Sequence, residues 1–174
     1  MLGRVSADPV EPDAVDKLNF RRVASRFSTG ICVAATRHRD VEHAMTVSAF
    51  NSVSLDPLLA LVCVENITRF REAVLGSGMW AVSVLSDDAE DVARWFAEKA
   101  RPTEGQMADY AHHPGSVTGM PVLDCAMAVI ECRTRAVYDG GDHDIVLGEV
   151  VGLWSDPVPR EPLLYFEGRY RQLR

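Results

Sequence analysis

The chain has no uninterrupted apolar run near the ~20 residues a membrane-spanning helix requires. Its first residues, MLGRVSADPVEPDAVD, carry four acidic side chains and no apolar core. Neither a membrane span nor a signal peptide is expected, and a cytoplasmic location follows as an expectation. Cations are the minority charge, with 18 Lys and Arg against 25 Asp and Glu and a formal net charge of −7. Neutralising a row of phosphates takes clustered cations, so no nucleic-acid partner is expected. One small anionic ligand, needing only two or three local donors, stays possible. The five histidines form no H-E-x-x-H, and Cys32, Cys63, Cys125 and Cys132 form no C-x-x-C. No metal site is therefore indicated. Cys32, Cys63 and Cys132 lie in apolar, strand-like runs and read as reduced thiols used as small hydrophobes. G-x-G-x-x-G, G-x-x-x-x-G-K-[ST] and G-x-S-x-G are all missing, so any redox cofactor binds by another route.

What is present suits one ordinary globular domain, with 47% hydrophobic and 25% charged residues. Residues 1–12, polar and holding Pro9 and Pro12, read as a flexible N-terminal segment ahead of a domain over 13–174. Val15, Leu18, Val23 and Phe27 recur at helical spacing, and Gly30 closes that segment. ICVAAT (31–36), AMTVSAF (44–50) and WAVSVLS (80–86) read as strands, and RHRDVEH as a hairpin tip or loop. PLLALVCV (57–64), apolar almost throughout, reads as a strand buried on both faces. Thr68 suits the N-cap of a helix over RFREAVL that Gly76 and Gly78 end. Asp87 or Asp88 caps AEDVARWFAEKA, where Val92, Trp95 and Phe96 share a face. Residues 101–121, with three prolines and His112 and His113, form a long connection of the kind used for lids. AMAVIECRTRAVYD (126–139) and IVLGEVVGLW (145–154) make a hairpin across GGDHD, and LLYFEGRY (163–170) a final strand. Six or seven strands with two or three helices and no β-α-β alternation give a mostly β fold with peripheral helices. A closed or partly closed antiparallel barrel fits best, because it removes exposed edges.

Two segments offer chemistry. MTVSAFNSVSLDP (45–57) gathers Thr46, Ser48, Asn51, Ser52 and Ser54. Small hydroxyls, an amide and accessible backbone N–H groups suit a polar heteroaromatic ring or a phosphate. A Ser-rich connection between strands would read the same. GGDHD (140–144) places Asp142 and His143 at a glycine-permitted turn, where a ligand can meet them. Ordinary hairpin chemistry accounts for Gly-Gly-Asp equally well.

In chain order, FRRVASRFSTGICVAAT, MTVSAFNSVSLDPLLALVCV, GMWAVSVLS, WFAEK, GMPVLDCAMAVIECR, GGDHDIVLGEVVGL and PLLYFEGRY resemble the flavin reductase-like family of two-component monooxygenases. The resemblance runs from about residue 18 to 173. Its most specific pieces are T-V-S-A-F-N-S-V-S-L-D-P and G-D-H with G-E-V five residues on. It implies an FMN-binding split β-barrel of antiparallel Greek-key type. It implies an NAD(P)H:flavin oxidoreductase that passes hydride from NADH or NADPH to FMN or FAD. A homodimer is implied, as is a separate monooxygenase or halogenase that accepts the reduced flavin. By the same resemblance, Thr46, Val47, Ser48 and Ala49 line the isoalloxazine ring, and Asn51 and Ser52 hold the ribityl chain and phosphate. Val64, Glu65, Asn66, Thr68 and Lys99 stand near the phosphate or adenylate end. Asp142 and His143 meet the nicotinamide, with His143 orienting it rather than serving as an obligate base.

The chain departs from the family pattern at Leu58, where a second proline is common, at Ala49, where serine is frequent, and at Ser83, often asparagine. Arg37, Arg39 and Arg69 are candidates for a 2′-phosphate, so NADH and NADPH both stay open. The rival readings are a flavin- or heme-binding split-barrel carrier or sensor without reductase activity, a pyridoxine-phosphate type of oxidase, and a flavin-dependent oxygenase acting on its own substrate beneath the 101–121 loop.

Overall fold

The computed structural model describes residues 14–173; the expectation of a flexible segment over 1–12 lies outside the described residues. Asp16 opens helix α1 (Lys17–Ala24) by accepting the Asn19 N–H at 2.9 Å. Strands β1 (Thr29–Gly30) and β2 (Cys32–His38) follow. A turn with Arg39 and Asp40 both at positive φ joins β2 to β3 (Val41–Val47). That is the backbone twist a tight hairpin needs, so the RHRDVEH segment is mostly strand with a two-residue tip. Next come β4 (Phe50–Leu55), β5 (Leu58–Glu65), α2 (Arg69–Ser77) and β6 (Met79–Leu85). Thr68 caps α2 as its sequence suggests, accepting the Arg71 N–H, and Gly78 ends it in the left-handed conformation. A 3₁₀ turn (Asp87–Ala89) leads into α3 (Glu90–Ala97). The rest is β7 (His112–Pro114), β8 (Pro121–Leu123), the long hairpin β9 (Ala126–Asp139) and β10 (His143–Ser155), and the short β11 (Leu164–Phe166) and β12 (Arg169–Arg171).

Seven strands form one antiparallel sheet in the order β3-β2-β6-β9-β10-β5-β4. The hairpin β9–β10 is therefore inserted between β5 and β6, which are consecutive in the sequence. The sheet curls around a single apolar cluster to which every strand contributes. Ala34, Val47, Val62, Trp80, Cys132 and Val146 meet there with Phe50 of β4, and Phe70 and Val74 of α2 plug one side. Trp80 packs directly over Gly148, where a Cβ would stand 2.5 Å from Trp80 Cζ2 and 2.8 Å from Cys132 Cβ. Trp80 itself is completely buried. A second cluster packs Ile31, and Val33 and Ala35 on the outer face of β2, against Val92, Ala93 and Phe96 of α3.

Several sequence expectations change in detail. AMTVSAF is not one strand: it breaks at Ser48 and Ala49, where the chain leaves one sheet edge, β3, for the other, β4. PLLALVCV is fully buried on one face only, through Ala60, Val62 and Val64, because no layer covers its outer side completely. LLYFEGRY folds back on itself as β11 and β12 around Glu167 and Gly168, both at positive φ. All four cysteines are free; Cys32 and Cys132 are buried, and burial pushes both thiols up to about 12.

No motif marks Glu131, a carboxylate 3% exposed on the outer face of β9. It accepts the Thr118 N–H at 2.7 Å and hydroxyl at 2.6 Å, the Val117 N–H at 3.2 Å and the Ser116 hydroxyl at 3.2 Å. One buried anion thus ties down the end of the long connection. Burial pushes its carboxyl up, but the bonds from Thr118, Val117 and Ser116 together outweigh burial and hold it below the usual carboxylate value. A depressed folded value stabilises fully above the unfolded value of about 4.3, and that stability is lost as pH falls through the folded value. Glu131→Gln should cost roughly 1–3 kcal/mol at neutral pH. The gap between wild type and variant should narrow in denaturant titrations carried stepwise below about pH 4. A gap independent of pH would show that the ionised carboxylate is not what the loop needs.

Candidate functional site

The free edge of β3 forms one wall of a cleft of about 370 Å³. Its backbone fixes what that wall offers. Ala44 points its peptide groups away from β2: its N–H donates to Gln106 Oε1 at 3.3 Å, and its C=O accepts Arg101 Nη2 at 2.7 Å. Antiparallel ladders alternate, so the peptide groups of Thr46 turn the same way, into the cleft. The Thr46 hydroxyl is already engaged, donating to Ala93 O of α3 at 2.7 Å. Val47 buries its side chain in the barrel and gives only backbone to the cleft wall. Ser48 is exposed, and the Ala49 carbonyl accepts the Cys63 N–H at 3.0 Å, pinning the crossing from β3 to β4.

The facing wall comes from the end of β5 with Cys63 and Glu65, the start of α2 from Ile67 to Phe70, the turn after α3, and His143. His143 is directly opposite Glu65 in the β10–β5 register. Lys99 Nζ pairs with Glu65 Oε2 at 3.0 Å across the mouth. Arg69 bonds the Thr103 hydroxyl and Arg101 O, tying α2 to the segment after α3. Arg69, Lys99 and Arg101 give this end of the cleft three fixed cations against Glu65 and Glu98. Burial lowers His43 from the usual imidazole value, and Arg69 and His38 add to the effect, so His43 contributes a neutral ring. Burial likewise raises the Cys63 thiol, which stays protonated.

The structure thus gathers Thr46, Val47, Ser48, Ala49, Glu65, Thr68, Lys99 and His143 in one cleft. Five candidates do not line it. Asn51 and Ser52 are exposed on β4, and Val64 is buried inside the barrel. Asn66 Nδ2 donates to Gly141 O at 2.8 Å, and Asp142 Oδ1 lies 2.7 Å from His143 Nδ1. The Thr68 hydroxyl caps α2 by accepting the Arg71 N–H and donates to Glu65 O. Of the three arginines raised for a 2′-phosphate, Arg69 lines the cleft, while Arg37 pairs with Glu42 and Arg39 sits in the β2–β3 turn. Arg101, Gln106 and His43 went unread in the sequence because none belongs to a local motif. Arg101 and Gln106 bond groups on β3 that lie 57–64 residues away.

A polar heteroaromatic ring bearing a phosphate fits this donor set: an outward-facing strand edge on one side and fixed cations at one end. Residues 24–174 match the family model of the flavin reductase like domain. The NADH:FAD oxidoreductase of Streptomyces globisporus, solved with NAD and FAD fragments, is similar with 34% identity and a TM-score of 0.86, covering 97% of this chain and 98% of that one. The reductase component of 4-hydroxyphenylacetate 3-monooxygenase from Thermus thermophilus is 38% identical over 156 residues, 88% of this chain and 95% of its own. BorF, the flavin reductase component of a bacterial two-component tryptophan halogenase, aligns with a TM-score of 0.85 and 37% identity over 91% of this chain and 98% of its own.

Arg101 is the joint of the site. Its guanidinium reaches the C-terminal carbonyls of α3 at Trp95, Phe96 and Glu98 as well as Ala44 O on β3. Arg101→Ala should cost about 2–3 kcal/mol, since several charge-assisted bonds and a helix end are released together. Arg101→Lys should recover only part of it, because one ammonium cannot span two elements as a fork does. Thermal melts of the two variants check this; equal, negligible shifts would remove Arg101 from that role.

Proposed function

The chain belongs to the flavin reductase like domain family, and on that premise we propose that its cleft brings a reduced nicotinamide against FMN or FAD for hydride transfer. The flavin, when bound, supplies the hydride-accepting chemistry. The observation that carries the reading is the meeting, in one cleft, of the β3 edge from Thr46 to Ala49, the cations Arg69 and Lys99, and His143. The outward peptide groups of Thr46, with the Ser48 hydroxyl, hold the polar edge of the ring. Arg69 and Lys99 take the phosphate, Lys99 by exchanging part of its pairing with Glu65. His143, with Asp142 at its Nδ1, keeps its other ring nitrogen for the nicotinamide. Holding two rings together needs no nucleophile, and burial raises the Cys63 thiol in the cleft above its ordinary value.

NADH is the donor we assign, in line with the name of the Streptomyces globisporus relative. The reduced flavin goes on to a separate oxygenase or halogenase, as the names of the Thermus thermophilus protein and BorF suggest. Among the described residues no helix is long and apolar enough to cross a membrane. Anaerobic mixing of the purified protein with NADH and either flavin should bleach the flavin's long-wavelength band within seconds. Flavin binding without bleaching by NADH or NADPH would instead favour the carrier reading.

The working unit in this reading is a homodimer. Helix α1 buries none of its residues, and Leu18, Phe20 and Val23 stand open to solvent beside Phe27. The β4–β5 hairpin exposes Val53, Leu55 and Leu58. Apolar surface on that scale calls for a partner, and a second copy supplies one symmetrically. Light scattering should give twice the 19.2 kDa chain mass, and a monomer at micromolar concentration would overturn the dimer.

A further inference from the structure

The hairpin tip that carries His143 is not held by its own strands alone. Inside the tip, the Gly140 N–H donates to His143 O at 2.9 Å, and the Gly141 N–H donates to Asp139 Oδ1 at 2.9 Å. Gly141 takes a φ of +88°, a left-handed conformation that favours glycine. Because His143 is opposite Glu65, the tip projects past the last residue of β5 and over the loop leading to α2. Asn66 meets it there twice. Its backbone N–H donates to Asp142 O at 3.0 Å, and its side-chain Nδ2 donates to Gly141 O at 2.8 Å. Beyond His143, Arg71 Nε of α2 donates to the buried carboxylate of Asp144 at 2.7 Å. The residues on both sides of His143 are therefore bonded to the β5–α2 corner, while the His143 ring is left to the cleft.

We infer that Asn66 is a positioning residue: its side-chain amide fixes the Gly141–Asp142 peptide unit so that His143 stays in the cleft. Its role lies in the hairpin and not in contact with the cofactor. The inference rests on the reading of His143 as the group that meets the nicotinamide. The backbone bond from Asn66 survives substitution and keeps the corner folded, so the side chain can be tested separately. Asn66 is exposed, and replacing it leaves no cavity.

The test is a cycle of Asn66→Ala, His143→Ala and the double variant, in the full chain with flavin. Asn66→Ala should raise KM for NADH about fivefold, the equivalent of one lost hydrogen bond. The flavin dissociation constant and kcat should move far less. Amide exchange should quicken at residues 140–144 and stay unchanged along the rest of β9 and β10. In the His143→Ala background, Asn66→Ala should add nothing to KM, because its effect runs through a ring no longer present. If the two effects multiply, or if His143→Ala raises KM while Asn66→Ala does not, the inference is wrong and the reductase reading stands. Unchanged exchange at the tip would also overturn it. If His143→Ala itself leaves KM unmoved, the His143 reading falls and takes the inference with it.

Discussion

A sheet that curls without being sewn shut keeps two raw edges, and a raw edge is a row of peptide groups without partners. The first wall of the candidate site follows from how the β3 edge is used. At Ala44 the edge is closed by protein groups, Gln106 and Arg101. From Thr46 onward it is left open to the cleft, next to the point where Ala49 and Cys63 pull the chain across to the other edge. An unpaired strand edge is normally a hazard because it invites another strand. Here α3 and the segment after it cover part of the edge, through Ala93, Arg101 and Gln106.

The placement of the second half of the site is topological. Inserting β9–β10 between β5 and β6 makes β10 the neighbour of β5, so the turn at the tip of that hairpin must emerge beside the end of β5. The end of β5 in turn runs into α2, whose first residues carry Arg69 toward the cleft. One connection pattern thus brings the strand edge, the cations and His143 to the same mouth. No local sequence feature specifies that convergence.

The repeating parts of the fold were legible because they obey simple periods. The Thr68 cap, the glycine at the end of α2 and the 126–139 strand come out where alternation and capping place them. The family's ordered motifs further pointed to Thr46 to Ala49, Lys99 and His143. Illegible were the residues whose meaning is wholly tertiary. Arg101 looks like one more surface charge until α3 and β3 are seen to share it. Glu131 sits in an alternating strand as an ordinary outward residue until the loop over 116–118 closes on it. The family resemblance places Asn66 near the phosphate or adenylate end, and only the hairpin register shows that its amide meets Gly141 O.

The same insertion that builds the site constrains how the chain comes to be folded at all. β6 meets β2 early in the sequence, but its other neighbour, β9, begins at Ala126, and the gap between β6 and β5 is filled only when β10 is complete at Ser155. During synthesis on a ribosome the first six strands and two helices therefore emerge with Trp80 and Val62 facing an unfinished interior. Such long-range pairing is slow, and the waiting surface is sticky. Truncation anywhere before the second strand of the long hairpin leaves the core open, so the vulnerable period in synthesis lasts until Ser155 has been added.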